Sequence, residues 1–523
     1  VLSRSVPNRR NSILRSAAIA VAIAITASVT ACAQNPSETP ATTAPESVTD
    51  KTLRFAAYGP PIRSFDPHRD GRVASNLTLF AVYDRLIGQS PDGELIPQLA
   101  TEWEFSDDTT FEMVLRDDVT FHDGEVFDAE AVKANIERAQ TIDDGAGPWA
   151  GPLSVIESIE VADPTHLTFR LKAPTASLPA TLSDQAGAMI SPAAFDTDLA
   201  QTPVGAGPYV LEKWTADGSA TFTAYEDYWA PETIGAGTIE MPFQLDQLRR
   251  LDMFKADEID ATFGHTTFVA GAKDAGLNVN AQPGINYWFI DFNRANAPFD
   301  DVNVRRAINH ALDQESLIKA LLYGEADANE QPFNEKSLGF SQKLGKDVFP
   351  YDPEKSKKIL ADAGYENLTF ECAIIAGSGG AYAQYAEVVK DQLAKAGITM
   401  DIKLVESQST ALLIDKSVNC AMMPYGTMSP ILNAKQLFSP NGYYNAGKVA
   451  DDEMIELLDA LDRPQSEEDL RAAFGDLAKK VADDALFTSL FFENWTVLTN
   501  DKVEGLEFYL GGHYTEFRNF TMK

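Results

Sequence analysis

Three cysteines in 523 residues exclude a disulfide-built scaffold. Cys32 closes an N-terminal apolar run, which leaves Cys372 and Cys420 and at most one disulfide, so packing must stabilise the chain. The six histidines, at 68, 122, 166, 265, 310 and 513, are dispersed. With no HxH, HExxH or CxxC spacing among them, no metal site is expected. Basic residues are also scarce, 43 against 77 acidic ones, for a net charge of −34. Such a field opposes nucleic acid and anionic lipid surfaces. Beyond residue 32 no apolar run is long enough to span a membrane. No GxSxG elbow is present, and Gly377-Ser378-Gly379-Gly380 lacks the Lys-Ser/Thr of a phosphate loop. Neither a cofactor nor a catalytic residue is expected.

The N-terminus carries the most specific signal. Arg4, Arg9, Arg10 and Arg15 precede the weakly apolar stretch Ala17 to Ala27, and Val29-Thr30-Ala31-Cys32 follows. A basic start, an apolar middle and small residues before cysteine describe a lipoprotein signal peptide over residues 1–31, with Cys32 as the lipidated first residue. An uncleaved anchor is the alternative, but the run is mostly alanine and barely reaches spanning length. Arg9-Arg10 hints at twin-arginine export, although Ser12 and Ile13 suit ordinary secretion better. Either route puts the bulk of the chain outside the cytoplasm, held to the membrane by lipid. Losing the first 31 residues removes four Arg and no acid, making the remainder more acidic still. Residues 32–51, rich in Pro, Thr, Ser and Glu, bury too little to order themselves and are expected to form a loose tether.

The remaining length exceeds one hydrophobic core and implies two or three lobes. Thr52 to Tyr58 reads as a buried strand before Pro60-Pro61, and a helix is expected from Asn76 to Ile87. Phe111, Met113 and Leu115 alternate with polar residues behind the Asp107-Asp108 turn, the pattern of a β-hairpin with Trp103 and Phe105. Asp128 caps a helix whose apolar spacing runs through Ala131, Val132, Asn135, Ile136 and Ala139. Asp352-Pro353 starts another, stopped by Gly364. From Leu368 the order strand, helix, strand, short helix, strand makes a βαβαβ run to Met423 and a parallel sheet. If that run adopts the usual 2-1-3 order, Cys372 and Cys420 lie side by side. Parallel neighbours seldom have disulfide geometry, so buried free thiols are expected.

Several blocks then fall into one order. Val82-Tyr83-Asp84-Arg85-Leu86-Ile87 is followed by Asp92-Gly93-Glu94-Leu95-Ile96-Pro97-Gln98-Leu99-Ala100, by Trp103, and by the stretch from Phe111 to Lys133. Val204-Gly205-Ala206-Gly207-Pro208-Tyr209, Asp227-Tyr228-Trp229, Asp291-Phe292-Asn293, the segment from Pro298 to Ile308 and the helix from Tyr351 to Gly364 complete the set. In this order the chain resembles the family 5 extracytoplasmic solute-binding proteins, the peptide and nickel group that serves ABC importers, over nearly all of residues 52 to 523. Taken singly, most of these residues suit turns and packing and mark the fold, not a ligand.

The resemblance implies an α/β, two-lobed periplasmic-binding-protein-like fold of type II with an extra β-rich subdomain in lobe 1. Lobe 1 would take residues 52–290, including the subdomain at about 71–199. Lobe 2 would take 291–486, and residues 487–523 would return to lobe 1. Crossings are expected near Trp288 to Asn293 and Phe487 to Trp495. The implied function is capture of a small-molecule or peptide ligand by a monomer that delivers it to ABC permease subunits. A secreted hydrolase or a surface adhesin or signalling receptor on the same fold is the alternative.

A closing cleft is lined by aromatic faces with a few oriented polar groups. Tyr58, Trp288, Tyr425, Met428, Phe492 and Trp495 stand at strand ends or crossings and are candidate ligand contacts, Tyr425 foremost. Phe65, Asp184, Phe263, His265, Asn433 and Tyr444 lie in segments that the resemblance turns toward the cleft. Peptide-binding relatives place an acid after the segment of Tyr425 to hold the peptide amine. Residues 425–433 here contain none, which leaves Ser429 or Asn433 to offer a neutral hydrogen bond.

Overall fold

The computed structural model describes residues 48–57, 64–72, 75–215, 218–244, 246–264, 266–376, 381–426, 429–463, 466–509 and 514–523. The expected signal peptide, Cys32, most of the tether and the 377–380 turn lie outside them. Among the described residues no helix is long and apolar enough to cross a membrane.

Strand Thr52–Ala56 (β1) forms within the expected stretch with Leu53, Phe55 and Ala56 buried and Thr52 and Arg54 partly exposed, and Tyr58 falls outside the described residues. The helix Asn76–Val82 is shorter than its apolar spacing suggests. The Val82 carbonyl accepts from Gly207 N–H instead of continuing the helix, and Asp84 and Arg85 enter buried ion pairs with Arg518 and Glu516. Ile87–Gln89 (β2) is therefore strand, not helix, paired antiparallel with Leu95–Pro97 (β3). Gly93, at φ +85°, makes the left-handed turn between them.

The predicted hairpin forms as Ala100–Asp107 (β4) and Thr110–Leu115 (β5). With Ile156–Asp163 (β6) and His166–Leu171 (β7) it makes a four-stranded sheet in the order β4-β5-β7-β6. Helix Ala129–Gly145 is capped by the Asp128 carboxylate, which accepts from Ala131 N–H at 2.9 Å. Its predicted apolar face is buried, and the helical backbone breaks at Ile142–Asp144.

One large mixed sheet holds the rest together. Its further strands are Tyr209–Trp214 (β8), Ser219–Ala224 (β9), Thr238–Pro242 (β10), Ala261–Gly264 (β11), Asn278–Phe292 (β12), Ala326–Asp327 (β13), Thr369–Ile375 (β14), Thr399–Val405 (β15), Cys420–Tyr425 (β16) and Ser489–Thr499 (β17). The order is β15-β14-β16-β12-β17-β11-β1-β10-β9-β8, with β13 paired to β17. Two strands carry the chain between halves of this sheet. Asn278 to Pro283 of β12 lie opposite Asn494 to Thr499 of β17, beside β11, whereas Tyr287 to Phe292 pair with β16. The β12–β17 register breaks between Pro283 and Tyr287.

Strand alternation sorts the aromatic residues of β12 onto opposite faces. Trp288, Ile290 and Phe292 enter one core, and Tyr287 and Phe289 enter another with Phe487 and Phe492. A separate core around Phe55, Phe263, Trp495 and Tyr514 fills the first half.

The βαβαβ run is present: β14, helix Ala381–Lys395, β15, the π-helical turn Thr410–Ile414 and β16. Its order is the expected one, and β14 pairs in parallel with both neighbours. The cysteines, however, are not free thiols. The only ladder pair of β14 with β16 is Ala373 opposite Ala421. That register sets Cys372 beside Cys420 with Cα atoms 4.6 Å apart, inside the range a disulfide spans, and the two are bonded.

Candidate ligand cavity

Three parts of the chain enclose a cavity of 870 Å³. The β2–β3 hairpin supplies one wall through Gln89, Asp92, Glu94 and Leu95, with Trp103 of β4 beside them. Ile285 and Phe492, on the strands that join the halves, form its floor. The opposite wall combines the 332–338 loop with Pro430 and Asn433 of helix Pro430–Phe438 and Glu467, Leu470 and Arg471 of helix Glu467–Asp483. The volume suits a small organic ligand.

Local chemistry fixes the far wall. Ser429 caps its helix, its hydroxyl accepting from Leu432 N–H at 3.2 Å, and it is not among the residues that line the cavity. Asn433 is buried. Its Oδ1 accepts from the Tyr287 hydroxyl at 2.8 Å, and its Nδ2 donates to the Pro332 carbonyl at 3.0 Å. Asn334 holds the loop to the floor, donating to the Gly284 carbonyl at 3.1 Å while its Oδ1 accepts from the amides of Lys336 and Ser337. The Lys336 ammonium then reaches across the cavity to Asp92 and also donates to Gln282 Oε1 at 2.8 Å. Arg471 is taken up by Glu467 one turn earlier, at 2.8 Å.

On the hairpin side, Gln89 donates from Nε2 to the Ser183 hydroxyl at 2.8 Å, and its Oε1 has no partner among the described residues. The Glu94 backbone closes the turn: its N–H donates to the Ser90 hydroxyl and its carbonyl accepts from Ser90 N–H. Its carboxylate pairs with no cation among the described residues.

Of the candidate contacts read from sequence, Asn433 and Phe492 line this cavity. Tyr425 and Tyr444 pack on one another with ring centroids 4.1 Å apart. Tyr425 also meets Tyr287 edge-on, so this pair supports the Asn433 wall from behind. Burial holds the Tyr425 hydroxyl well above its ordinary pKa. Gly426 follows immediately because a Cβ there would fall 2.6 Å from the Ile285 carbonyl.

Trp288 points the other way, its ring tilted against Tyr382 with centroids 4.5 Å apart, and it donates to Glu493 Oε1 at 3.0 Å. Phe65, Phe263 and Trp495 are core residues, packed on Trp214, Phe55 and Phe508 respectively. Asp184 is half-buried, accepting from Asn76 and Gln185, and desolvation raises its pKa. Tyr58, His265 and Met428 lie outside the described residues. Sequence reasoning missed Glu94, Trp103, Lys336 and Arg471. Glu94 stood inside a block read only as a mark of the family, Trp103 was read as part of a β-hairpin, and Lys336 sits in a loop without periodicity.

A family model described as "Bacterial extracellular solute-binding proteins, family 5 Middle" matches residues 94–447, which include β3, the floor strand β12 and helix Pro430–Phe438. The chain belongs to this family. The family-5 protein is 30% identical over 366 residues to the glutathione-binding protein GsiB of Salmonella paratyphi A, covering 69% of this chain and 70% of that one. Its fold is that of HbpA2 from Haemophilus parasuis, with a TM-score of 0.81 at 22% identity over 90% of this chain and 100% of that one. It is equally the fold of DppA from Helicobacter pylori in complex with the peptide STSA, at TM-score 0.73 and 23% identity over 91% and 99% of the two chains. The two-lobed binding-protein architecture with extra strands is thus established, as the sequence motifs imply. The family-5 protein is an extracytoplasmic substrate-binding protein of an ABC importer and not an enzyme. Among the described residues no group of three His, Cys, Asp or Glu side chains could hold a metal.

Proposed function

We propose that the protein captures a small peptide-like solute in the cavity between the β2–β3 hairpin and the second half of the chain, and hands it unchanged to a membrane permease. The observation that carries this reading is the construction of the site: two walls from separate parts of the fold meet over a floor made by the two strands that join them. Asn433 and Phe492 contact the ligand directly, and Tyr425 and Tyr444 hold the wall behind them. The glutathione-binding and peptide-complexed relatives support the ligand class.

In this reading lobe 1 comprises residues 52–290 with the subdomain near 71–199, lobe 2 residues 291–486, and residues 487–523 the return. Movement about the Pro283–Tyr287 irregularity opens and shuts the cavity, and ligand shifts the population toward the closed form because it binds that form better. A micromolar dissociation constant corresponds to about −8 kcal/mol, within reach of a pocket this size. Residues 1–31 are a signal peptide, and Cys32 carries the lipid that holds the monomer at the cell membrane.

The test is native mass spectrometry of protein purified from its own host. Titration calorimetry follows, with glutathione and with tri- and tetrapeptides. Saturable binding of an intact solute is expected. Conversion of a solute to product, or no binding by any of these compounds, would sink the proposal.

A further inference from the structure

We infer that the cavity selects its ligands by an uncharged, apolar side chain, a branched aliphatic or aromatic group held against Ile285 and Leu338, while the charged ends of the ligand stay at the exposed edge. This rests on the peptide-like reading above and names the kind of residue that such a solute carries.

Charge and burial are separated along the cavity wall. Its ionisable residues, Asp92, Glu94, Lys336, Glu467 and Arg471, are all exposed. The buried part of the wall is made by Gln89, Pro332, Phe333, Asn334, Asn433 and Phe492, none of which ionises. The amides among them are already engaged. Asn433 is bonded to Tyr287 and Pro332, and Asn334 to Gly284 and the amides of Lys336 and Ser337. Gln89 gives its Nε2 to Ser183, and its Oε1 has essentially no accessible surface. An ionic group carried into this part of the cavity would leave water and find no counter-charge, which is costly. An apolar group needs no partner there, and its removal from water favours binding.

Two side chains supply the complementary surface. Ile285 and Leu338 line the cavity half-buried, and neither takes part in the hydrophobic cores of the described residues. Leu95 and Trp103 on the hairpin side and Leu470 opposite line the same space but pack against a core behind them. Ile285 lies where the β12–β17 register breaks, between Pro283 and Tyr287, so its position belongs to no regular pairing with β17. The Asn334 bond to the Gly284 carbonyl fastens the loop bearing Leu338 to the floor strand beside Ile285. Half-buried apolar side chains with no core to join gain further burial only when a ligand covers them.

The full chain is titrated calorimetrically with alanine-based tripeptides carrying Leu, Phe, Gln, Glu or Lys at each position in turn, and with glutathione. At one position Leu or Phe should bind about tenfold or more tighter than Gln, Glu or Lys, the scale of burying one large apolar side chain. The heat-capacity change should also be more negative for those peptides than for the Gln peptide. Glutathione, with a small thiol side chain and two carboxylates, should fall among the weak binders. Ile285→Thr and Leu338→Ser should each cut the preference for Leu over Gln several-fold, and Leu338→Met should retain it. Thermal unfolding of the three variants should match the wild type, because neither residue packs in a core. Equal affinity across the panel, a preference for Glu or Lys, or an undiminished preference in both polar variants overturns the inference and leaves solute capture standing. Binding of glutathione but of no tripeptide does the same. Failure of glutathione and every tripeptide overturns the peptide-like reading and this inference with it.

Discussion

The Tyr287 hydroxyl donates to Asn433 Oδ1 at 2.8 Å, tying a strand that joins the two lobes to an amide on the cavity wall. Both residues are buried. Asn433→Ala leaves the Tyr287 hydroxyl and the Pro332 carbonyl without partners. It should destabilise the fold by about 2–3 kcal/mol and weaken solute binding as the wall loosens. Tyr287→Phe, which strands only one acceptor, should have the smaller effect. Urea denaturation of the two variants measures this, and an Asn433→Ala midpoint equal to the wild type would contradict it.

The Cys372–Cys420 disulfide closes a loop of 48 residues and ties β14 to the strand that ends at Tyr425. On the chain-entropy account a loop of that length is worth about 4 kcal/mol. The double variant Cys372→Ser/Cys420→Ser, or reduction before denaturation, should therefore lower the unfolding midpoint. A free-thiol count of two on the native, unreduced protein would show that the bond does not form.

Asp291 is buried with Oδ2 unbonded, and desolvation pushes its pKa up to about 7 despite the nearby Arg294. An acid whose folded pKa lies above its unfolded value binds more protons when native. Its contribution to stability is therefore greatest when protonated and falls as pH rises from about 4 toward about 7. Asp291→Asn should gain stability relative to wild type between pH 5 and pH 8, by on the order of 2 kcal/mol. Parallel stability profiles for the two proteins across that range would refute the assignment.

Lipidation predicts a simple fractionation result. Wild-type protein expressed in a bacterium that processes lipoproteins should take up labelled palmitate and sediment with membranes, and Cys32→Ser should do neither. Membrane retention and labelling of the Cys32→Ser protein would remove Cys32 as the anchor.

The legible parts of the fold were those fixed by short-range chemistry. Asp128 and Asp352 cap the helices that their sequence context predicts, and the strand and helix periods after Leu368 yield the observed parallel order. The helix expected through Ile87 fails where Asp84 and Arg85 meet partners more than 430 residues away. Propensity cannot register such contacts. The candidate site was legible only in part. Aromatic residues at strand ends are chemically plausible as either core or ligand contacts, and alternation along β12 sends Tyr287 toward Asn433 but Trp288 away from it. Glu94 and Lys336 carry no local signal, since their role depends on what faces them.

By itself the sequence determined that this is a multi-lobed α/β protein, acidic and poor in cysteine, because composition, capping and periodicity act through neighbouring residues, and its ordered motif blocks carried the resemblance to the family 5 solute-binding proteins. Tertiary structure alone decided that the two cysteines bond, that Phe65, Phe263 and Trp495 pack inside, and that Gln89, Glu94, Lys336 and Asn433 face one cavity. Strand register and the meeting of distant segments set those outcomes, and neither is encoded in any single stretch of chain.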